Sequence, residues 1–187
     1  MRYLVLAVVL ILPCEIFAQE SASNVFWQNL LELCNKAYSG EVLEAPADDE
    51  FRTQSLVMHV RSCEENEIKI PFFVGDDRSR TWVLTRMNER IQLKHDHRHK
   101  DGSEDEVTMY GGTSANTGLS TLQTFPADQH TAALIPAAAS NIWWIEIVPG
   151  QYFTYNLRRI GTDRYFSIRF HLKDEVDIPE APWGWAD

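Results

Sequence analysis

Residues 141–172 read NIWWIEIVPGQYFTYNLRRIGTDRYFSIRFHL and contain three runs rich in aromatic and β-branched residues. Such runs are typical of β-strands, and apolar residues recur in them at every second position. A Pro-Gly pair at 149–150 and a Gly-Thr-Asp triplet at 161–163 separate the runs. Both are short sequences suited to hairpin turns. The stretch therefore predicts three consecutive antiparallel strands.

The same alternation occurs earlier in the chain, over 56–61, 68–74 and 82–93, with turn-like sequences between the runs. Only residues 24–40 have apolar residues spaced three and four apart, which predicts one leading helix. About 8 to 10 short strands after one helix predict an all-β fold, an antiparallel up-and-down barrel whose N-terminal helix covers one end. A β-sandwich is the alternative, because strand number alone does not distinguish the two.

Two sets of residues resemble known groups of proteins. The helix, followed by Tyr38-Ser39-Gly40 and a meander of strands, resembles the lipocalin-like (calycin) barrels, in which an aromatic-glycine element marks the first strand. KIPFFVGDDRSRTWVLTR, LKHDHRHKDGSEDEVTMYGG and FTYNLRRIGTDRYFS resemble segments of a group of uncharacterised secreted bacterial proteins. The first resemblance implies a barrel, and the second implies export and one domain over most of the chain.

The N-terminus also predicts export. Residues 1–18 combine Arg2, an apolar run that ends at Leu12 and the small residue Ala18, as a signal peptide does. The apolar run is about half of the roughly 20 residues that a membrane-spanning helix needs. Removing these 18 of the 187 residues leaves 169, enough for one domain. We expect a secreted or periplasmic protein with a barrel over 19–175, an extended Pro/Trp-rich tail over 176–187 and no transmembrane segment in the mature chain.

The net charge and the cysteine content limit the classes of partner and the cellular compartment that we expect for this protein. The net charge is −10, which disfavours nucleic acid as a partner because binding to nucleic acid depends on Lys and Arg. The mature chain keeps Cys34 and Cys63. In an oxidising compartment this pair predicts a disulfide, and two buried free thiols are the alternative.

Three histidines recur at every second position after a predicted strand. His95, His97 and His99 continue the alternation of Ile91 and Leu93, so all three are expected on the inward face. Imidazoles gathered in the interior of a barrel can bind an acidic or haem-like ligand. Because histidine titrates near neutral pH, such binding would depend on pH.

A divalent metal is a possible cofactor of this histidine cluster. If residues 101–102 form a two-residue turn, Glu106 lies opposite His97. Imidazoles and carboxylates are ligands of zinc and similar ions, so His95, His97 and Glu106 are candidate metal ligands. A charged hairpin with cross-strand His–Glu pairs is the alternative.

Aromatic and basic residues on the strands are candidates for a small-molecule site. Trp82 and Tyr155 offer aromatic surface to an apolar or planar ligand. Arg80 and Arg158 can bind an anionic group through paired hydrogen bonds. The expected ligand-binding residues are His95, His97, His99, Trp82, Arg80, Arg158 and Tyr155.

Three functions are compatible with the sequence, and no catalytic residue is assigned. The leading hypothesis is an exported barrel that binds a small molecule inside the barrel or at its mouth. The second is a metal-dependent enzyme in which His95, His97 and Glu106 hold an ion that activates water. The third is a structural or interaction protein of the envelope whose partner binds the tail through Trp183 and Trp185.

Overall fold

The fold was determined as a computed structural model, which describes residues 20–186. The predicted signal peptide, residues 1–18, lies outside the described residues. The two α-helices are α1 (Ala22–Leu31) and α2 (Gln129–Leu134), and short 3₁₀ helices span Glu50–Arg52 and Pro136–Ala138. The strands are β1 (Ala37–Glu44), β2 (Leu56–His59), β3 (Ser62–Cys63), β4 (Glu67–Val74), β5 (Asp77–Met87), β6 (Arg90–His97), β7 (Tyr110–Thr113), β8 (Leu122–Pro126), β9 (Asn141–Val148), β10 (Tyr152–Arg159) and β11 (Tyr165–Val176).

The stretch 141–172 forms β9, β10 and most of β11, three antiparallel neighbours. Alternate residues of β9 are buried, and Trp143 pairs across the ladder with Leu157 of β10. Phe153 of β10 pairs with Phe170 of β11. Because paired residues on adjacent strands project to the same face, these side chains line the interior together. The three predicted strands are confirmed.

The strands form a nearly closed up-and-down barrel. Most sequential strands pair with each other. Strand β2 pairs with β4, and the short β3 also pairs with β4. The first and last strands, β1 and β11, pair antiparallel. The ends of this order, β7 and β8, lie side by side, and the Asp128 N–H donates to the Gly111 carbonyl at 3.0 Å. Gly112 comes so close to β8 that an added Cβ would lie 1.8 Å from the Pro126 carbonyl oxygen. The predicted barrel is confirmed, and the chain does not form a sandwich.

Helix α1 is shorter than predicted and packs at one end of the barrel. It ends at Leu31, and Asn35 adopts a positive φ of 63° before β1 begins at Ala37. Asn29 Nδ2 donates to the Ser120 carbonyl at 3.0 Å, at the start of β8. Burial of Phe26, Trp27 and Leu30 anchors the helix in the core.

Cys34 and Cys63 form the predicted disulfide, with their Cα atoms 6.2 Å apart. It links the segment after α1 to β3. Among residues 20–186, neither helix has the length and hydropathy needed to cross a membrane.

The tail after β11 lies against the outside of the barrel. The Trp183 N–H donates to the Arg78 carbonyl at 3.1 Å, and Arg61 Nη2 donates to the Ala186 carbonyl at 2.9 Å. The ammonium of Lys69 lies 5.5 Å from the ring centroid of Trp185. Both tail tryptophans therefore contact the chain's own barrel.

Candidate functional site

A cavity of about 390 Å³ opens at the barrel end opposite α1. On β5, Arg80 lines the cavity whereas Arg86 binds the side chain of Asn24 in α1, so the two features occupy opposite ends. Seven of the lining residues are Phe, Trp or Tyr, and polar and charged side chains also converge on the space. The aromatic and imidazole side chains that line it are Phe51, Phe72, Trp82, His95, His97, Tyr110, Trp143, Tyr155 and Phe166. This composition is typical of small-molecule sites, as is the volume.

His95 is one of the buried polar residues of the cavity and is 4% exposed. Its Nδ1 lies 3.0 Å from the Tyr110 carbonyl oxygen, which can only accept, so Nδ1 carries the proton. Burial lowers the pKa of His95 to about 3, and the ring is therefore neutral at pH 7. Its Nε2, 2.7 Å from Tyr155 Oη, accepts a hydrogen bond from that hydroxyl. The tautomer of His95 and the donor direction of Tyr155 are fixed together.

A second histidine–tyrosine contact lies beside the first. His97 Nε2 is 3.1 Å from Tyr110 Oη, and the Tyr110 ring stacks on His95 with centroids 4.6 Å apart. Burial is also the main cause of the lowered pKa of His97, followed by the positive charge of Arg80. Burial raises the pKa of Tyr110 to about 12. At neutral pH the network is therefore uncharged, and the expected titration of the cluster near neutral pH does not hold for His95.

Stacked rings form one wall of the cavity. The Trp82 ring lies nearly parallel to Tyr155, with centroids 4.4 Å apart and an angle of 17°. Phe72 stacks on the other side of Trp82 at 4.9 Å. Each ring is held by its neighbours, so the wall is pre-formed.

Arg80 lines the cavity as predicted, but its charge is already paired. It forms an ion pair with Asp77 and a second one with Glu50 at 3.2 Å. Its guanidinium also lies 5.2 Å from the ring centroid of Phe51. Arg80 therefore holds the 3₁₀ helix at the cavity mouth in place.

Arg158 lies on the outer face of the barrel. It pairs with Ile142, next to the inward pair formed by Leu157 and Trp143. Because side chains alternate along a strand, Arg159 is the arginine that lines the cavity. Arg158 was chosen because it shares a face of the strand with Thr154, and the structure places it outside the cavity lining.

The structure does not bring His99 and Glu106 to the cavity. Both are exposed, and neither lines it. The Asp105 N–H donates to the His97 carbonyl, but the next contact is Met109 N–H to the His95 carbonyl, so two extra residues bulge out between them. The turn pairs Arg98 with Glu104, so Asp105 and not Glu106 lies opposite His97, and the bulge then begins at Glu106.

The proposed metal ligands are consequently not assembled. Within residues 20–186, no group of three His, Cys, Asp or Glu side chains is placed to hold a metal ion. His95 uses both ring nitrogens within the protein. An ion at His95 and His97 would need to displace the Tyr155 hydroxyl.

Sequence reasoning missed several residues of the site. Arg159 follows the alternation of Tyr155 and Leu157, and correct use of this signal would have found it. Tyr110 and Phe51 carry no such signal, because one follows the bulge and the other belongs to a 3₁₀ helix.

The fold and the cavity define the class of protein: an antiparallel up-and-down barrel with an aromatic-lined cavity at one end. The chain matches no family model, no curated protein and no solved structure.

Proposed function

We propose that the protein binds a small organic molecule in the cavity and acts by binding, without chemistry on the ligand. The observation that carries this proposal is the space of about 390 Å³ bounded by stacked aromatic side chains. Apolar walls with few polar groups are the usual composition of sites that hold a ligand.

The polar groups of the cavity support binding more than catalysis. His95 is neutral, and both its ring nitrogens are occupied. Burial raises the pKa of Tyr155 well above that of a free phenol, so this hydroxyl stays protonated. Neither group can serve as a general base near pH 7. Tyr155 can still orient a ligand, because its hydroxyl oxygen donates one hydrogen bond to His95 and keeps lone pairs that accept others.

Export is part of the proposal. The disulfide between Cys34 and Cys63 favours an oxidising compartment, and the sequence of residues 1–18 is that of a signal peptide. We infer a secreted or periplasmic protein that binds a small molecule in the barrel or at its mouth. Mass spectrometry of intact protein from the exported fraction checks this, since a mass that still includes residues 1–18 would contradict it.

The binding proposal is tested with the uncharged dye phenylnaphthylamine, whose fluorescence rises in apolar surroundings. We expect saturable binding of one dye per protein and quenching of tryptophan emission, because Trp82 and Trp143 line the cavity. Leu157→Trp places a larger side chain in the cavity and should weaken binding at least about tenfold. Ile160→Trp, at an exposed position outside the cavity, is the matched control.

The result that contradicts the proposal is equally specific. Absence of saturable binding by aromatic dyes, charged or uncharged, to protein that unfolds cooperatively would show that the cavity does not accept small molecules. Equal binding by the Leu157 and Ile160 variants would place the dye elsewhere on the protein.

A further inference from the structure

We propose that the ligand of this cavity is a planar aromatic anion, whose negative group lies between Arg159 and Arg164 and whose ring lies against the Trp82–Tyr155 wall. This inference rests on the proposed function and adds the chemical class of the ligand. It starts from two arginines that sequence reasoning did not assign to the site.

Arg159 and Arg164 are brought together by the hairpin between β10 and β11. The Arg159 N–H donates to the Arg164 carbonyl at 3.0 Å, and both residues line the cavity. Burial, and then the charge of Arg164, lower the pKa of the Arg159 guanidinium. Like charges placed opposite each other on neighbouring strands are destabilising unless an opposite charge lies between them.

In the part of the chain that the structure describes, no carboxylate is paired with either arginine. Neither arginine forms an ion pair with a carboxylate among the ion pairs of residues 20–186. The only side-chain hydrogen bond of Arg159 there is from Nε to Asn141 Oδ1 at 2.9 Å. Asn141 is 4% exposed, so it holds the guanidinium in one orientation and leaves the two terminal nitrogens free. A guanidinium fixed in this way can bind a carboxylate, sulfonate or phosphate through two parallel hydrogen bonds.

The acidic side chains of the cavity mouth are engaged elsewhere. Glu50 pairs with Arg80 at 3.2 Å. Asp49 Oδ1 accepts the Phe51 N–H at 3.1 Å, as the N-cap of the 3₁₀ helix. Asp49 keeps its negative charge in this hydrogen bond, and Glu50 shares Arg80 with Asp77. Among the described residues, Arg159 and Arg164 are therefore the cavity arginines without a carboxylate partner, in a chain whose net charge is −10.

The charge of Arg164 also acts on the interior of the cavity. Burial raises the pKa of Tyr110 and Tyr155, and the positive charge of Arg164 opposes this rise at both hydroxyls. The field of this guanidinium therefore reaches the polar groups inside the cavity. Below it the His95–Tyr155 network is neutral. An anionic group is thus favoured at the mouth and an uncharged ring below it.

The shape of the interior favours a flat ring. Phe72, Trp82 and Tyr155 are stacked in that order, and Trp82 and Tyr155 are parallel within 17°. Both faces of Trp82 are therefore covered, and the face of Tyr155 turned away from Trp82 is the one that a ligand ring would meet. A planar ligand can extend this stack with offset geometry, which a branched aliphatic ligand cannot do.

The test compares two dyes that share their rings and differ in charge. Anilinonaphthalene sulfonate carries a sulfonate, and phenylnaphthylamine is the same ring system without it. We expect the sulfonate dye to bind about tenfold tighter, since two charge-assisted contacts outweigh the long-range repulsion by the acidic chain. Arg159→Gln combined with Arg164→Gln should remove this preference, so that the double variant binds the two dyes with similar affinity.

Arg158→Gln is the matched control, because it removes the neighbouring arginine on the outer face and should leave the preference unchanged. The unmodified protein gives a second measurement that does not depend on any variant. From about 0.01 to 1 M salt the Debye length falls from roughly 30 to 3 Å, so the preference for the sulfonate dye should shrink.

The outcomes separate the two proposals. If neither dye binds, the proposed function fails and this inference fails with it. If the uncharged dye binds as tightly as the sulfonate dye, the cavity accepts small molecules and the inference about charge is overturned. A preference that survives in the double variant, or that Arg158→Gln removes equally, also overturns it.

Discussion

Lowering the pH from 7 to 5 should destabilise this protein through His95. The ring is buried and neutral, and burial lowers its pKa in the folded state from 6.5 to about 3. In the unfolded chain the same ring becomes protonated as the pH falls through 6.5. Because the unfolded state then binds the extra proton, the free energy of unfolding falls as the pH decreases between these two values.

The size of the effect follows from the two pKa values of His95. Between them, stability changes by at most about 1.4 kcal/mol per pH unit. Since the unfolded ring is still mostly neutral at pH 7, the loss from pH 7 to pH 5 is about 2 kcal/mol. His97 and His59 also have pKa values lowered mainly by burial, so they add to the loss in the same direction.

Carboxylates contribute mainly at lower pH. Hydrogen bonds and the charge of Arg80 together outweigh burial and lower the pKa of Asp77 below 3.8, so its contribution is present at pH 5 and is lost only as the pH falls further. The change in the free energy of unfolding between pH 7 and pH 5 therefore comes mainly from the histidines.

Urea unfolding at pH 7 and pH 5 measures this loss in the unmodified protein, in His95→Gln and in His99→Gln. The His95 variant should lose about 2 kcal/mol less between the two pH values than the unmodified protein does. His99 is exposed in the turn after β6, so its variant should behave like the unmodified protein. Identical losses in all three proteins would refute the argument. So would an NMR titration in which the His95 ring of the folded protein becomes protonated near pH 6.

Two further predictions concern the closure of the barrel. Replacement of Cys34 and Cys63 by alanine should lower the free energy of unfolding by about 3.5 kcal/mol in the chain-entropy model, because the disulfide closes a loop with a sequence separation of 29. Urea unfolding with and without reductant measures this loss. Equal unfolding midpoints would contradict the prediction. Gly112→Ala should destabilise the barrel by about 3 kcal/mol or more, since its Cβ would meet the Pro126 carbonyl oxygen at 1.8 Å. Thermal unfolding should show a smaller effect for Gly150→Ala, where no atom lies within 4 Å of the added Cβ.

The sequence predicts the barrel because, in most of its strands, inward and outward side chains alternate along the chain. Alternation over 141–172 predicts which side chains point inward, and antiparallel pairing then brings Trp143 beside Leu157 and Tyr155 beside Ile145. Trp82 and His95 follow from the same rule and pair across β5 and β6. These parts of the site were predictable because strand geometry alone determines them.

Helix α1 shows where local pattern and tertiary structure differ. The apolar spacing continues to Ala37, but the helix ends at Leu31 and Tyr38 already belongs to β1. Pairing with β11 and β2 satisfies the backbone of β1 on both sides. This gain is tertiary, so helical spacing in the sequence cannot reveal it.

The errors lie at the cavity mouth, and their location has a physical reason. A two-residue turn at 101–102 was assumed, whereas Met109 adopts a φ of 54° and the Val107 N–H bonds to Asp105 Oδ1 within the bulge. Side-chain direction in such a segment depends on the chemistry of the turn, so alternation does not apply. Phe51 reaches the cavity from a 3₁₀ helix, and Arg164 from a hairpin end. A barrel leaves its strand ends and loops to build the mouth, so strand alternation could not predict Phe51 and Arg164, whereas Arg159 follows it.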